Sequence, residues 1–337
     1  MKHRLFLFLA AVLSCGSLAA QTPKMYPTFG SVIRENPKLD QLLATDAKVE
    51  VLAMGYKWLE GPVWDKQAGY LLFSHAPTNQ ILKWKEGEGI TEFMHPAGYT
   101  GLGQYSNEPG SNGLAFTTAG QLVLCEHGDR RISVLTKNGG KLTLADNFAG
   151  KRLNSPNDVV VRANGDVYFT DPPYGLPKQG SDPARETEFS GVYRVTPNGQ
   201  VTLLTKELAY PNGLAFSPDG KTLYVSQSDS KRAVWLAFPV LADGNVGQHR
   251  VFKDVTSMAA QLPGSPDGFK IDQQGNLFAT GPGGLHIYAP DGTLLGRIDL
   301  QGVSASNCAW GDDGSTLYIT ATGYLCRIRT KTKGANW

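Results

Sequence analysis

Six times along the chain a polar residue opens a short apolar strand, which runs into a turn containing Gly or Asp and then into a second strand. The openings are Glu60-Gly-Pro-Val-Trp64, Asn112-Gly-Leu-Ala-Phe116, Asn157-Asp-Val-Val-Val161, Asn212-Gly-Leu-Ala-Phe216, Asp267-Gly-Phe-Lys-Ile271 and Ser306-Asn-Cys-Ala-Trp310. They lie 52, 45, 55, 55 and 39 residues apart. At such spacings each unit is a four-stranded blade that cannot bury its faces alone and must stack on its neighbours around an axis. The rhythm predicts an all-β chain folded as a six-bladed β-propeller.

The second strands keep the same register. Tyr70-Leu-Leu-Phe-Ser, Gln121-Leu-Val-Leu-Cys, Val167-Tyr-Phe-Thr, Thr222-Leu-Tyr-Val-Ser, Asn276-Leu-Phe-Ala-Thr and Thr316-Leu-Tyr-Ile-Thr are short and rich in β-branched and aromatic residues. The turns before them carry Gly69, Gly120, Gly165, Gly220, Gly275 and Gly314, as tight hairpins require. Third strands follow around Trp84, Val134, Tyr193, Trp235, Ile287 and Cys326, and a strand near Val49-Glu-Val-Leu52 is placed to close the ring against the last blade. With 39 glycines, 20 prolines and no long amphipathic helical run, one large β domain over residues 46–330 is expected, after a 21–45 extension and before a 331–337 tail.

Residues 1–20 read as a secretory signal: Lys2 and Arg4 precede an apolar run from Leu5 to Leu13 and small residues through Ala20. Soluble export to the periplasm or the extracellular space is expected, with lipidation at Cys15 disfavoured by its flanking residues. Cys125, Cys308 and Cys326 remain after export, and this odd number points to buried free thiols rather than a disulfide framework. A net charge of +2 with scattered basic residues gives no reason to expect a nucleic-acid partner, and no membrane span is expected.

If every opening residue starts the innermost strand of its blade, then Glu60, Asn112, Asn157, Asn212, Asp267 and Ser306 form a ring of oxygen-bearing side chains at one mouth of the central tunnel. Asn, Asp or Ser before Gly is commonly a turn former, which accounts for any one of them but not for Glu60. Two carboxylates facing an axis need a compensating cation or solvent, so the ring is a candidate metal site. Its hard oxygens suit calcium first, with magnesium, manganese or zinc as alternatives.

Antiparallel pairing returns the second strands to this mouth and brings His75, Glu126, His127, Asp171, Gln227 to Asp229 and Thr320 around it. Either histidine taken singly reads best as hydrogen-bonded or at the surface, and the charges of Gly128-Asp129-Arg130-Arg131 as a solvated turn. Two long connections, 95–111 and 172–190, are rich in Gly, Pro and Tyr and are placed to act as a lid. Tyr99, Tyr105 and Tyr174 in them are expected to shape the pocket.

The segments Glu60-Gly-Pro-Val-Trp64, Leu153-Asn-Ser-Pro-Asn-Asp158, Pro211-Asn-Gly-Leu214 and Pro266-Asp-Gly268, in this order, resemble the motifs of the gluconolactonase and senescence marker protein (regucalcin) family. Phe169-Thr-Asp-Pro-Pro-Tyr-Gly175 and Cys125-Glu-His-Gly128 resemble its bacterial gluconolactonase branch, and the match runs from about Leu59 to Ile328. The resemblance implies one divalent metal on Glu60, Asn157, Asn212 and Asp267 and hydrolysis of a sugar lactone, with Asp267 orienting or deprotonating the water. Asn112, His127, Asp171 and Tyr174 are the candidates for contacting the substrate. Animal members of the family carry arginine where this chain has Ser155, so aldonolactone specificity transfers less well than metal ligation. A carboxylate near pKa ~3.9 and lowered further by a dication is a feeble base. The same mouth also suits an organophosphate hydrolase resembling diisopropyl fluorophosphatase, and a third reading is a propeller that only binds a glycan or a protein.

Overall fold

A computed structural model describes residues 25–337; the signal-like segment 1–20, with Cys15, lies outside the described residues. Six antiparallel sheets surround one axis. Their innermost strands are Glu60–Asp65, Ser111–Phe116, Val159–Val161, Pro211–Phe216, Phe269–Ile271 and Ala305–Gly311, and each touches the next around the ring. Blade one continues outward through Tyr70–His75, Gln80–Lys85 and Gly89–Met94, and blades two to five repeat this order. In blade six the outer strand is Val49–Met54, paired antiparallel to Tyr324–Arg329, so the expected closure holds. The extension contributes more than a leader, because Ser31–Arg34 adds a fifth strand to the edge of blade five against Leu294–Asp299. The tail also joins the sheets, as the Ala335 amide donates to the Ile271 carbonyl. No helix among the described residues is long and apolar enough to cross a membrane.

Aromatic side chains fill the wedges between blades. Tyr318 of blade six stacks on Trp64 of blade one at 5.5 Å, and Trp310 of blade six meets Phe278 of blade five edge-on at 4.9 Å. Cys125, Cys308 and Cys326 are buried free thiols within this packing.

Near the axis the blades are joined by a repeated polar stitch. The next-to-last residue of a second strand donates its hydroxyl to the main-chain carbonyl of the residue that opens the following blade. Ser74 donates to Asn112 at 2.7 Å, Thr170 to Asn212 at 2.7 Å, Ser226 to Asp267 at 2.9 Å and Thr280 to Ser306 at 3.1 Å. In blade six Ser306, which also bonds to Thr320, closes the circuit on the Leu59 carbonyl at 2.6 Å. In blade two the position is Cys125, and the Gly113 amide reaches the Asn157 carbonyl at 2.7 Å instead.

The carbonyls of Asn112, Asn157 and Asp267 press so closely on the neighbouring strand that only glycine fits beside them. A Cβ on Gly61 would lie 2.0 Å from the Asn112 oxygen, and one on Gly113 2.6 Å from that of Asn157. The glycine after an opening residue therefore serves close approach between blades more than a turn; of the two named here, only Gly61 has a positive φ, +47°. The Gly213→Ala substitution would set a methyl 2.5 Å from the Asp267 carbonyl oxygen. Overpacking of this kind should destabilise the fold by about 1–3 kcal/mol. Thermal unfolding should show a clear drop in Tm, and an unchanged Tm would mean that the blades part without cost.

Candidate active site

Because the stitches occupy the main-chain carbonyls, the side chains of the opening residues are left to face the mouth. Glu60 is 4% exposed; its Oε1 accepts from the Trp58 indole at 3.2 Å and its Oε2 from the Gly61 amide at 3.1 Å. The Asn212 amide nitrogen donates to Ser228 Oγ at 3.0 Å, and Ser228 in turn donates to the Pro266 carbonyl at 2.7 Å. This fixes the amide so that Asn212 Oδ1 is its free end. Asn112 and Asn157 are buried, and both Asn112 Oδ1 and Asp267 Oδ1 are enclosed without a hydrogen-bond partner among the described residues. Ser306 does not belong to the ring: its hydroxyl is committed to Leu59 and Thr320, because its place in blade six is at the closing stitch.

The electrostatics are those of acids without a counter-ion. Burial pushes the Glu60 carboxyl up to about 8, and nearby Asp158 and Glu108 push the same way. Asp267 is also held well above the usual carboxylate range, by burial first and then by Glu60 and Asp158. Beneath the ring, Asn307 of blade six reaches the Asp158 carboxylate of blade three at 3.5 Å and accepts from Lys270 of blade five at 3.3 Å. Burial raises Asp158 and the Lys270 ammonium opposes that rise.

The second-strand ends divide by task. His75 is pinned by Thr78 at 2.6 Å on Nδ1 and by the Lys57 amide at 3.4 Å on Nε2, an ordinary hydrogen-bonded histidine. Glu126 does not face the mouth as expected, since it is paired with Arg131 at 3.0 Å and Lys141 at 3.2 Å. The Asp171 oxygens accept from the Asn154 and Ser155 amides at 2.8 Å each, so Asp171 shapes the segment leading to Asn157 rather than offering free oxygens to a ligand. Its carboxyl is raised to about 7 by burial. His127 is fully buried, with Nδ1 at 3.2 Å from the Glu108 carbonyl and Nε2 unpartnered. Burial holds its ring down to about 4, a neutral imidazole.

Arg130 corrects the solvated-turn reading. It is 2% exposed and clamps the long connections, donating from Nε to the Leu153 carbonyl at 2.7 Å and from Nη1 to Ala184 at 3.0 Å. Tyr174 stacks on Tyr210 and lies beside Ser228 and Asp267. Tyr99 and Tyr105 stack on each other at 4.9 Å and line a recess of about 430 Å³ with Asp129, Thr143 and Arg152, over the outer strands of blade two. The residue that sequence reasoning passed over is Glu108, whose charge bears on both Glu60 and Asp267. It is the one acidic residue in the 95–111 connection, and that is a signal the sequence does carry.

The donor set suits a hard cation. Among the described residues two carboxyls have no ion-pair partner, one of their oxygens is enclosed and unpartnered, and the amide oxygen of Asn212 is presented by its own hydrogen bond. Among the described residues no three His, Cys, Asp or Glu side chains gather closely enough to hold a metal by themselves, so the amides are needed.

Without a divalent cation, Glu60 and Asp171 hold protons up to about 8 and about 7, against ordinary values of 4.5 and 3.8. Between each pair of values the folded chain binds more protons than the unfolded chain, so these groups contribute stability at low pH that is lost as pH rises through the upper value. Tm measured in chelator should therefore carry a downward slope across that window, and Glu60→Gln should remove its upper part. Added calcium should raise Tm most at the alkaline end, where the carboxyls are ionised. A chelator profile identical in wild type and Glu60→Gln would contradict this origin of the slope.

Residues 58–323 match the SMP-30/Gluconolactonase/LRE-like region. The chain is 38% identical to the gluconolactonase of Zymomonas mobilis over 334 residues, covering 96% of this chain and 93% of that one. Among solved structures, the gluconolactonase XC5397 of Xanthomonas campestris superposes with a TM-score of 0.79 at 32% identity, over 92% of this chain and 99% of the other. A calcium-binding protein of Agrobacterium tumefaciens, regucalcin, shares the fold with a TM-score of 0.67 at 21% identity, over 84% and 94%. The chain belongs to the SMP-30/gluconolactonase/LRE-like family.

Proposed function

We propose that this lactone-hydrolysing enzyme opens the ring ester of a sugar lactone of the gluconolactone type with the help of a divalent cation, calcium first, held by Glu60, Asn157, Asn212 and Asp267. Lactone hydrolysis rests on family membership along nearly the whole chain. The observation that carries the cation is the enclosed, unpartnered Asp267 Oδ1 in a ring where, among the described residues, Glu60 also has no ion-pair partner. When bound, such a cation polarises the ester carbonyl and stabilises the oxyanion that forms on it.

The chain's own groups do the rest. Asp267 orients the attacking water at the mouth, and Ser228 fixes the Asn212 amide. Asn112 Oδ1 and His127 Nε2 are acceptors without donors, and the hydroxyls of a polyhydroxy lactone supply donors. Tyr174, stacked on Tyr210 and close to Asp267, offers an apolar ring face. Export to the periplasm or the extracellular space, after removal of residues 1–20, is part of the proposal and rests on the composition of that segment.

The test is hydrolysis of glucono-δ-lactone followed by pH-stat, with and without chelator. Chelation should abolish turnover and calcium restore it. Asp267→Asn, nearly isosteric, should lower kcat by on the order of a hundredfold or more while the fold persists, the range for a group placed on the reacting atoms. Full turnover in chelator would end the cation reading, and wild-type kcat in Asp267→Asn at saturating calcium would end the role of Asp267.

A further inference from the structure

We propose that Glu108 is the catalytic carboxylate that takes the proton from the attacking water and returns it to the leaving ring oxygen, an inference that rests on the lactone hydrolysis proposed above.

Glu108 sits on a strap anchored at both ends. At the first end, Asn79 Oδ1 accepts from the amides of Ala97, Gly98 and Tyr99 at 3.1, 2.7 and 3.1 Å, and its Nδ2 donates to the Tyr99 carbonyl at 2.8 Å. At the second end, the Gly110 amide donates to the Ala76 carbonyl at 3.0 Å, while the amides of His127 and Gly128 donate to Gly110 and Pro109 at 3.1 Å each. The Glu108 main chain is held as well. Its carbonyl lies 3.2 Å from His127 Nδ1, and a carbonyl only accepts, so His127 carries its proton on Nδ1 and donates it there. The strap runs straight into Ser111–Phe116, the innermost strand of blade two, so this fixed backbone stands four residues before Asn112 at the mouth, and the Glu108 charge acts on Glu60 of blade one and Asp267 of blade five.

The other carboxylates near the mouth are committed. Glu60 accepts from Trp58 and Gly61, and together with Asp267 forms the charged part of the cation site. Asp158 accepts from the Val159 amide and Asn307, Asp171 holds two amides, and Glu126 is ion-paired. Among the described residues, Glu108 forms no hydrogen bond or ion pair through its carboxylate. It is also partly buried, and that burial raises its affinity for a proton, toward a better base than a free carboxylate.

The bonds balance with water as the only co-reactant. The water oxygen bonds to the lactone carbonyl carbon, the carbonyl π pair moves to oxygen, and the water proton passes to Glu108. As the carbonyl re-forms, the bond from carbon to ring oxygen breaks, and the ring oxygen takes the proton back from Glu108. The product is an open hydroxy acid, whose carboxyl then ionises to solvent.

The experiment compares wild type, Glu108→Gln and Glu108→Ala on glucono-δ-lactone, with the calcium-dependent rise in Tm measured on each. Glu108→Gln should lower kcat by about 10²–10⁴, leave KM little changed and keep the calcium response of Tm. Formate should restore turnover to Glu108→Ala and not to Glu108→Gln, whose amide fills the space. Wild-type kcat in Glu108→Gln overturns the proposal. Loss of the calcium response in Glu108→Gln also overturns it, by making Glu108 a cation ligand, and failure of formate to rescue Glu108→Ala overturns its role as proton carrier. A wild-type chain that opens no lactone ends both this inference and the function on which it rests.

Discussion

A hydroxyl donated across the blade boundary to a main-chain carbonyl holds the site together. Ser74, Thr170, Ser226 and Thr280 each bond to the carbonyl of the residue that opens the next blade. One such bond contributes only about 1 kcal/mol net, so the set matters less for overall stability than for position. It fixes the main chain at Asn112, Asn212 and Asp267 and leaves their side chains to the mouth, where Asn112 Oδ1 and Asp267 Oδ1 have no partner among the described residues. The glycines beside two of the stitched carbonyls are a consequence, since a methyl group at Gly61 or Gly213 would collide with the oxygens of Asn112 and Asp267.

That geometry has an electrostatic cost, and the cost is what makes the mouth reactive. Two acids on rigid strands cannot relax away from their acidic neighbours: burial raises both, Asp158 and Glu108 add to the rise of Glu60, and Glu60 and Asp158 to that of Asp267. A packed apolar mouth would be more stable, as active sites often trade stability for function. The sheets around it supply the compensation. Tyr318 packed on Trp64 and Phe278 on Trp310 keep the wedges rigid enough to hold the acids in place.

The blades were legible in the sequence because each begins with a polar residue, followed in blades one, two, four and five by a glycine, and close approach at the axis demands that glycine at Gly61, Gly113 and Gly213. The closing strand at Val49–Met54 was legible because blade six otherwise had three strands for four places. What a strand's end does with its side chain was not legible. Glu126 and His127 are adjacent in sequence, yet one turns to Arg131 and Lys141 and the other to the strap. Ser306 looked like its five counterparts, but at the seam its hydroxyl had to replace a stitch that Leu59 offered no other way to make. Arg130 read as a solvated charge because its partners, the carbonyls of Leu153 and Ala184, lie 23 and 54 residues away in connections without periodicity. The same lack of periodicity hid Glu108. The Ser/Thr in the next-to-last position of five of the six second strands is the signal that would have revealed the stitches.

The substitution of Ser155 for the arginine of animal family members follows from the local fold. The Ser155 amide donates to Asp171 at 2.8 Å, its hydroxyl donates to the Pro172 carbonyl at 2.6 Å, and the Gly175 amide donates to that hydroxyl at 2.9 Å. Gly175 is pressed against this residue and His127, so that a Cβ there would lie 2.5 Å from His127 Cβ. An arginine at position 155 would break the two hydroxyl bonds and force this corner apart. Under the proposed function, recognition of substrate hydroxyls passes from a donating guanidinium to accepting atoms, Asn112 Oδ1 and His127 Nε2, both buried and both without donors among the described residues. Acceptors read a hydroxyl only as a donor, and a site whose acceptors are left unpaired discriminates strongly against a ligand that lacks the hydroxyl. On that proposal the corner that excludes the arginine also sets which lactones the mouth favours, those whose hydroxyls can donate to both atoms.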